Sequence, residues 1–260
     1  WILALSLLQG NNSPDARILL ALPLDIDALL AESSTLLQVR DSVEWHDAQG
    51  TLRAVRRWQI GELVVRSQPL AKPPQNVLIP ALLNGIRDKG LAVLPWGPEA
   101  VQLRLRLQCA ARWLPEMTWP AVDDEALLSS MGTWLEPEIQ QVTSLQSLQN
   151  IDLVKALYNL LDWSLRQRLD SALPTHYTVP TGSRIAIRYH ADNPPVLAVR
   201  MQEMFGEAAT PLVAEGRVPV TLELLSPAQR PLQVTSDLAG FWKGAYREVQ
   251  KEMKGRYPKH

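Results

Sequence analysis

The sequence predicts an α+β, multi-domain protein with a β-rich N-terminal part, a helical middle and a C-terminal part of short strands and one long amphipathic helix. Three observations predict it. Up to Lys72, short apolar runs of strand length alternate with turn clusters. Between residues 76 and 169, apolar residues recur at three- and four-residue steps. From Tyr177 onward, strand-like segments return before a last helical stripe. The expected domains are residues 1–72, 73–172 and 173–260.

In the first part, residues 1–8 and 18–22 read as strands around the turn cluster Gly10-Asn11-Asn12-Ser13-Pro14, followed by a short helix at 25–31. Strands at 43–46 and 51–58 are joined by Asp47-Ala48-Gln49-Gly50, and Leu63-Val64-Val65 forms another. Several short strands with one small helix fit a small barrel. The run Trp1 to Leu8 is too short to span a bilayer and lacks a basic leader and a small-residue cleavage site. Starting on a strand without an initiator Met, the chain is expected to be N-terminally truncated, and its barrel only partial. Lys72-Pro73-Pro74 is the clearest linker, because proline favours an extended path and ends a strand ladder.

Helices are expected at 76–88, with Pro80 inside the pattern, and at 98–113, 123–135 and 152–169. Asp123-Asp124-Glu125 suits the positive end of a helix dipole better than acid–base chemistry. Further on, strands at 184–189 and 196–200 flank the turn Ala191-Asp192-Asn193-Pro194-Pro195, and a third covers 218–225. After Ser236 as N-cap, with Asp237 in the first turn, Leu238, Phe241, Trp242, Ala245, Tyr246, Val249 and Met253 form a stripe that Gly255 ends. Phe241 and Trp242 are expected to be buried against the strands.

The 260 residues are 46% hydrophobic, enough for two or three small cores. Net charge is −1, from 26 basic and 27 acidic residues, so any attraction for nucleic acid must be local. One cysteine, Cys109, excludes an internal disulfide framework and is expected to be a small buried residue in a reducing compartment. The four histidines are scattered, and with one cysteine they make no usual zinc set. The chain holds no Gly-x-x-x-x-Gly-Lys-Ser/Thr phosphate loop. No cofactor or metal is expected in it.

Arg200-Met-Gln-Glu-Met-Phe-Gly206, the stretch from Gly216-Arg-Val-Pro-Val to Asp237-Leu-Ala-Gly-Phe-Trp242, and Glu248-Val-Gln-Lys-Glu-Met-Lys-Gly-Arg-Tyr-Pro-Lys-His260 resemble the C-terminal region of HrpB-type bacterial DEAH-box RNA helicases. Upstream, Arg17-Ile-Leu-Leu-Ala-Leu-Pro-Leu-Asp25, Gln59-Ile-Gly-Glu-Leu63 and Leu83-Asn-Gly-Ile-Arg-Asp-Lys-Gly-Leu91 are similar to the same family. The resemblance tilts the partial barrel towards an OB-like one. It implies a cytoplasmic, non-catalytic accessory region whose partners are single-stranded RNA or DNA and the motor domains of the same polypeptide, with no membrane role. ATP and Mg are implied for that motor alone. None of the family's motor motifs has matching positions here, so no catalytic residue carries over.

The nucleic-acid-binding candidates are Arg53, Arg56, Arg57 and Trp58 on one strand, Arg184 and Arg188 near the turn Thr181-Gly182-Ser183, and Lys254 and Arg256 at the chain's end. Guanidinium groups beside an aromatic suit phosphate contact and base stacking along a single strand. The plainer alternative is a solvated barrel face with Trp58 in the core. Alternation sets Arg53 and Arg57 on one face and Arg56 on the other. Near-neutral charge and nine tryptophans favour a competing reading of residues 73–260 as a protein-interaction module. A free-standing hydrolase is weakest, since spacing pairs no nucleophile with a base and an orienting group. The 260-residue chain alone is accordingly expected to turn over no ATP, and mutation-sensitive hydrolysis by the purified chain would overturn that reading.

Overall fold

A computed structural model describes residues 1–9, 15–31, 35–46 and 51–256. The expected turns at 10–14 and 47–50 lie outside them, as does Lys259. The chain divides into two compact units, one of residues 1–85 with 143–145, the other of residues 86–142 with 146–260.

In the first unit β1 (Ile2–Gln9) pairs antiparallel with β2 (Ala16–Pro23), and α1 (Ile26–Ala31) follows. Then β3 (Leu37–His46), β4 (Thr51–Ile60) and β5 (Leu63–Pro69) form an antiparallel meander. The five strands hydrogen-bond as two separate sheets, and among the described residues no closed barrel forms. The reason lies in the side chains and the connection. After β2 the chain enters α1 rather than a further ladder, and Ile2, Leu3, Leu5, Leu7, Ile18, Leu20 and Leu22 all face solvent.

Next comes α2 (Gln75–Lys89), which runs through Pro80. Its first half belongs to the β-rich unit because Trp45 of β3 donates its indole N–H to the Ala81 carbonyl at 3.1 Å. A Cβ at Gly85 would overlap that indole, so only glycine lets helix and strand approach so closely. Compactness thus divides the chain inside α2, and independent folding of residues 1–72, 73–172 and 173–260 stays a proposal.

The second unit opens with α3 (Pro98–Trp113), α4 (Asp124–Ser129), α5 (Met131–Trp134), α6 (Leu145–Leu148), α7 (Leu153–Tyr158) and α8 (Trp163–Ala172). Two helices expected to be continuous are each split by a cap. Ser130 ends α4, its hydroxyl donating to the Ala126 carbonyl at 2.7 Å. Asp162 starts α8, its carboxylate accepting from the Leu165 N–H at 2.8 Å. The acidic run behaves as the dipole argument requires, with Asp123 capping α4.

Strands follow: β6 (His176–Thr178), β7 (Arg184–Arg188), β8 (Val196–Arg200), β9 (Leu212–Val213), β10 (Val218–Pro219), β11 (Thr221–Leu225) and β12 (Pro231–Thr235). They make a five-stranded sheet in the order β12-β11-β8-β7-β6, with β9 and β10 as a separate pair. The expected β7–β8 hairpin is present, and β8–β11 is the parallel neighbour. The last helix is two, α9 (Leu238–Lys243) and α10 (Tyr246–Arg256), broken where Gly244 leaves helical geometry. Its N-cap is Asp237 rather than Ser236, and α10 runs on through Gly255. Phe241 is buried, whereas Trp242 is half-buried, donating to the Glu207 carbonyl at 2.8 Å and clustering with Phe205, Phe241 and Tyr246.

One face of α3 ties the helical layer to the sheet. Gln102, Arg106 and Cys109 lie at helical spacing, and each bonds main chain more than sixty residues away. Gln102 accepts from the Tyr189 N–H at 2.8 Å and donates to its carbonyl at 3.2 Å. Arg106, 2% exposed, donates to the Leu173 carbonyl at 2.8 Å and to Asp170 at 2.9 Å. The Cys109 thiol donates to the His190 carbonyl. Arg106→Leu is expected to lower unfolding free energy by about 3 kcal/mol, because α8's last carbonyls lose a charged donor inside the core. Asp170→Asn, at a half-exposed carboxylate, should cost under about 1 kcal/mol. Denaturant midpoints of the two variants check this, and equal small shifts would contradict it.

Candidate nucleic-acid interface

The β3–β4 register decides what the three arginines of β4 can do. Arg56 pairs with Asp41 across the ladder and holds it through two bonds of 2.7 and 2.9 Å. That guanidinium keeps the Asp41 carboxyl below the usual carboxylate range. On the other face Arg57 donates to the Ser42 hydroxyl at 3.0 Å and to Glu44 at 2.9 Å. Glu44 sits directly opposite Arg53 in the register, yet its carboxylate is taken by Arg57. Arg53 is exposed and has no ion-pair partner among the described residues. Trp58 is half-buried; Arg66 of β5 lies over its ring at 5.8 Å and pairs with Asp27 of α1. The two carboxylates of β3 were missed in the sequence. The expected turn could have found them, because Asp41 and Glu44 count back from residues 47–50 as Arg56 and Arg53 count forward.

The second unit presents a different surface. Along β7 burial alternates, with Ile187 inward and Arg184, Ala186 and Arg188 outward. The register sets Arg188 opposite Val196 of β8, so Ala198 and Arg200 share that outward face, and the β8–β11 register adds Thr221 and Glu223. Beneath it Ile187, Leu197, Val199, Leu222 and Leu224 are buried. Arg188 reaches Glu223 at 2.7 Å. Arg184 and Arg200 are exposed and lie at the same end of the antiparallel pair, without a carboxylate partner among the described residues. Arg200 was missed as a site residue, although Arg-Ile-Ala-Ile-Arg and Val-Leu-Ala-Val-Arg carry arginine at matching positions of the alternation.

The structure brings Arg53, Arg56, Arg57 and Trp58 together on one strand and Arg184 and Arg188 on another, in separate units. Lys254 is exposed on α10, and the side chain of Arg256 lies outside the described residues. The Thr181-Gly182-Ser183 stretch is a tight turn with Gly182 at φ 89°; the Gly182 N–H bonds the Val179 carbonyl and the Val179 N–H bonds the Ser183 carbonyl. Those amides are committed to the turn. Burial pushes the Cys109 thiol up to about 11, which leaves it a poor nucleophile. Among the described residues no group of three or more His, Cys, Asp or Glu side chains is placed to hold a metal ion.

Residues 134–260 match the family model described as the ATP-dependent helicase C-terminal region, and residues 36–70 match the connector region of the ATP-dependent RNA helicase HrpB. The chain is similar to the ATP-dependent RNA helicase HrpB of Escherichia coli strain K12, with 68% identity over 260 residues, which are 100% of this chain and 32% of that protein. It is also similar to the crystal structure of the E. coli DExH-box NTPase HrpB, with TM-score 0.75 and 68% identity over 100% of this chain and 32% of that one. The crystal structure of the Escherichia coli DEAH/RHA helicase HrpB matches with TM-score 0.70 and 62% identity at the same coverage of 100% and 32%. The chain therefore spans about a third of the length of the relatives it matches.

The Arg56–Asp41 pair gives a pH test. A carboxyl held low by its partner favours the folded state above the ordinary carboxylate range and loses that contribution as pH falls through its lowered value. The gap in melting temperature between the parent and Arg56→Ala is expected to be full at about pH 7 and to narrow below about pH 4. A gap constant across that window would show that Asp41 gains nothing from Arg56.

Proposed function

Because the chain corresponds to the C-terminal region of HrpB-type ATP-dependent helicases, we propose that it is a non-catalytic accessory region that guides single-stranded RNA or DNA and braces the ATPase motor of the same polypeptide. The observation that carries this reading is arginine presented on a solvent-facing sheet surface in each unit of a chain whose net charge is only −1. Local cations of this kind contact phosphates without reading bases. ATP hydrolysis and its Mg belong to the motor, and the accessory region works in the cytoplasm. No described helix is long and apolar enough to cross a membrane.

A second reading has its own support. The apolar side chains of β1 and β2 face solvent on both sides of the hairpin, and Trp163 is 72% exposed at the start of α8. Large exposed apolar surface of this kind is the usual mark of a docking face, which suits a protein-interaction role, with the motor as its nearest partner.

The titration that separates the readings uses single-stranded RNA at several salt concentrations. Arg53→Ala/Arg57→Ala is expected to weaken binding and to lower the log–log salt slope by about 0.7, the one phosphate contact of the unpaired Arg53, since Arg57 is already held by Glu44. Arg56→Ala, whose charge is already paired with Asp41, should leave the slope unchanged. Equal affinity and slope in all variants would remove β4 from the strand's path and put the docking reading ahead.

A further inference from the structure

The outward face of the five-stranded sheet carries three arginines and one carboxylate. Resting on the accessory-region reading above, we propose that this face is a binding site for the sugar-phosphate backbone of a single nucleic-acid strand, with Arg184 and Arg200 as its phosphate ligands. Arg184 and Arg200 lie at one end of the β7–β8 pair and have no carboxylate partner among the described residues. Their charge is therefore available, unlike that of Arg188, which Glu223 holds at 2.7 Å.

The ligand follows from what the face holds and what it lacks. Ala186 and Ala198 keep the floor between the arginines low, so an anion can settle beside the guanidinium groups without displacing a bulky side chain. No Phe, Tyr or Trp shares the face of these strands, and its one ring is His176 opposite Ala186, which leaves little platform for base stacking. A broad sheet face also cannot enter a duplex major groove, which admits a helix or a two-stranded ribbon. A flexible strand lying backbone-down with its bases turned outward satisfies all three conditions. Recognition of that kind is blind to sequence.

Glu223 sets the limit of the site. In the free protein it neutralises Arg188, so the face offers two free cations and keeps a third in reserve. Replacing the carboxylate releases that cation.

The test uses the whole 260-residue chain and the anisotropy of a labelled oligouridylate at several salt concentrations. Arg184→Gln/Arg200→Gln is expected to bind about tenfold more weakly near 0.15 M salt, with the slope reduced by about 1.4. Both side chains are exposed, so its melting temperature should match the parent's. Glu223→Gln should tighten binding and raise the slope by about 0.7. Oligoadenylate should bind like oligouridylate. If the double variant binds like the parent while Arg53→Ala/Arg57→Ala weakens, the sheet face is off the path and the accessory reading stands. If the parent chain binds no single strand, both fall. If polyglutamate competes as well as the oligonucleotide, or one base is strongly preferred, the backbone site is overturned.

Discussion

The second unit depends on a charge carried into its core. Arg106 is buried on α3 and spends its guanidinium on the last carbonyls of α8 and on Asp170 at the surface. A helix C-terminus carries partial negative charge and unsatisfied carbonyls, so a cation fixed there both caps the helix and answers its dipole. Removing it would strip the buried Leu173 carbonyl of its donor, while the Leu169 carbonyl would keep the Leu173 N–H. The same stretch of α3 places Gln102 and Cys109 on the main chain just after β7, which fixes where the sheet begins relative to the helices. Tyr189 completes the joint, buried with its hydroxyl on the Pro174 carbonyl at 2.7 Å. The position of the outward sheet face, and so of Arg184, Arg188 and Arg200, follows from this anchoring.

The second theme is how a nearly neutral chain makes local cation. In the β3–β4 meander the carboxylates stand on the neighbouring strand in register, so Asp41 holds Arg56 and Glu44 holds Arg57, while Arg53 is left without an ion pair among the described residues. In the five-stranded sheet only Glu223 answers three arginines. Arginine count is therefore a poor guide to binding capacity. What matters is whether cross-strand pairing places a carboxylate within reach, because a paired guanidinium must give up one anion to take another.

The tryptophans show similar economy. Trp96, Trp119 and Trp134 each donate an indole N–H to a main-chain carbonyl a few residues earlier, at Leu91, Leu114 and Leu127. Trp119 and Trp134 are buried and Trp96 half-buried, and in all three the indole N–H is satisfied by the chain's own backbone. Trp163 departs from the pattern, exposed at the first turn of α8.

The sequence by itself determined much of the local structure. Strand alternation, caps and helical stripes gave the α+β content, the β7–β8 hairpin and the limits of α3, because period and cap chemistry are local properties. The missing phosphate loop and the solitary cysteine were equally legible. Tertiary structure alone decided the rest. It split three expected helices at Ser130, at 159–162 and at Gly244, since a cap competes with helix continuation only when packing rewards the break. It also resolved five N-terminal strands into two sheets instead of a closed barrel, because pairing partners are a non-local choice that strand propensity does not encode. Finally, it separated held arginines from free ones. That distinction rests on register between strands, and a one-residue slip would have exchanged every partner.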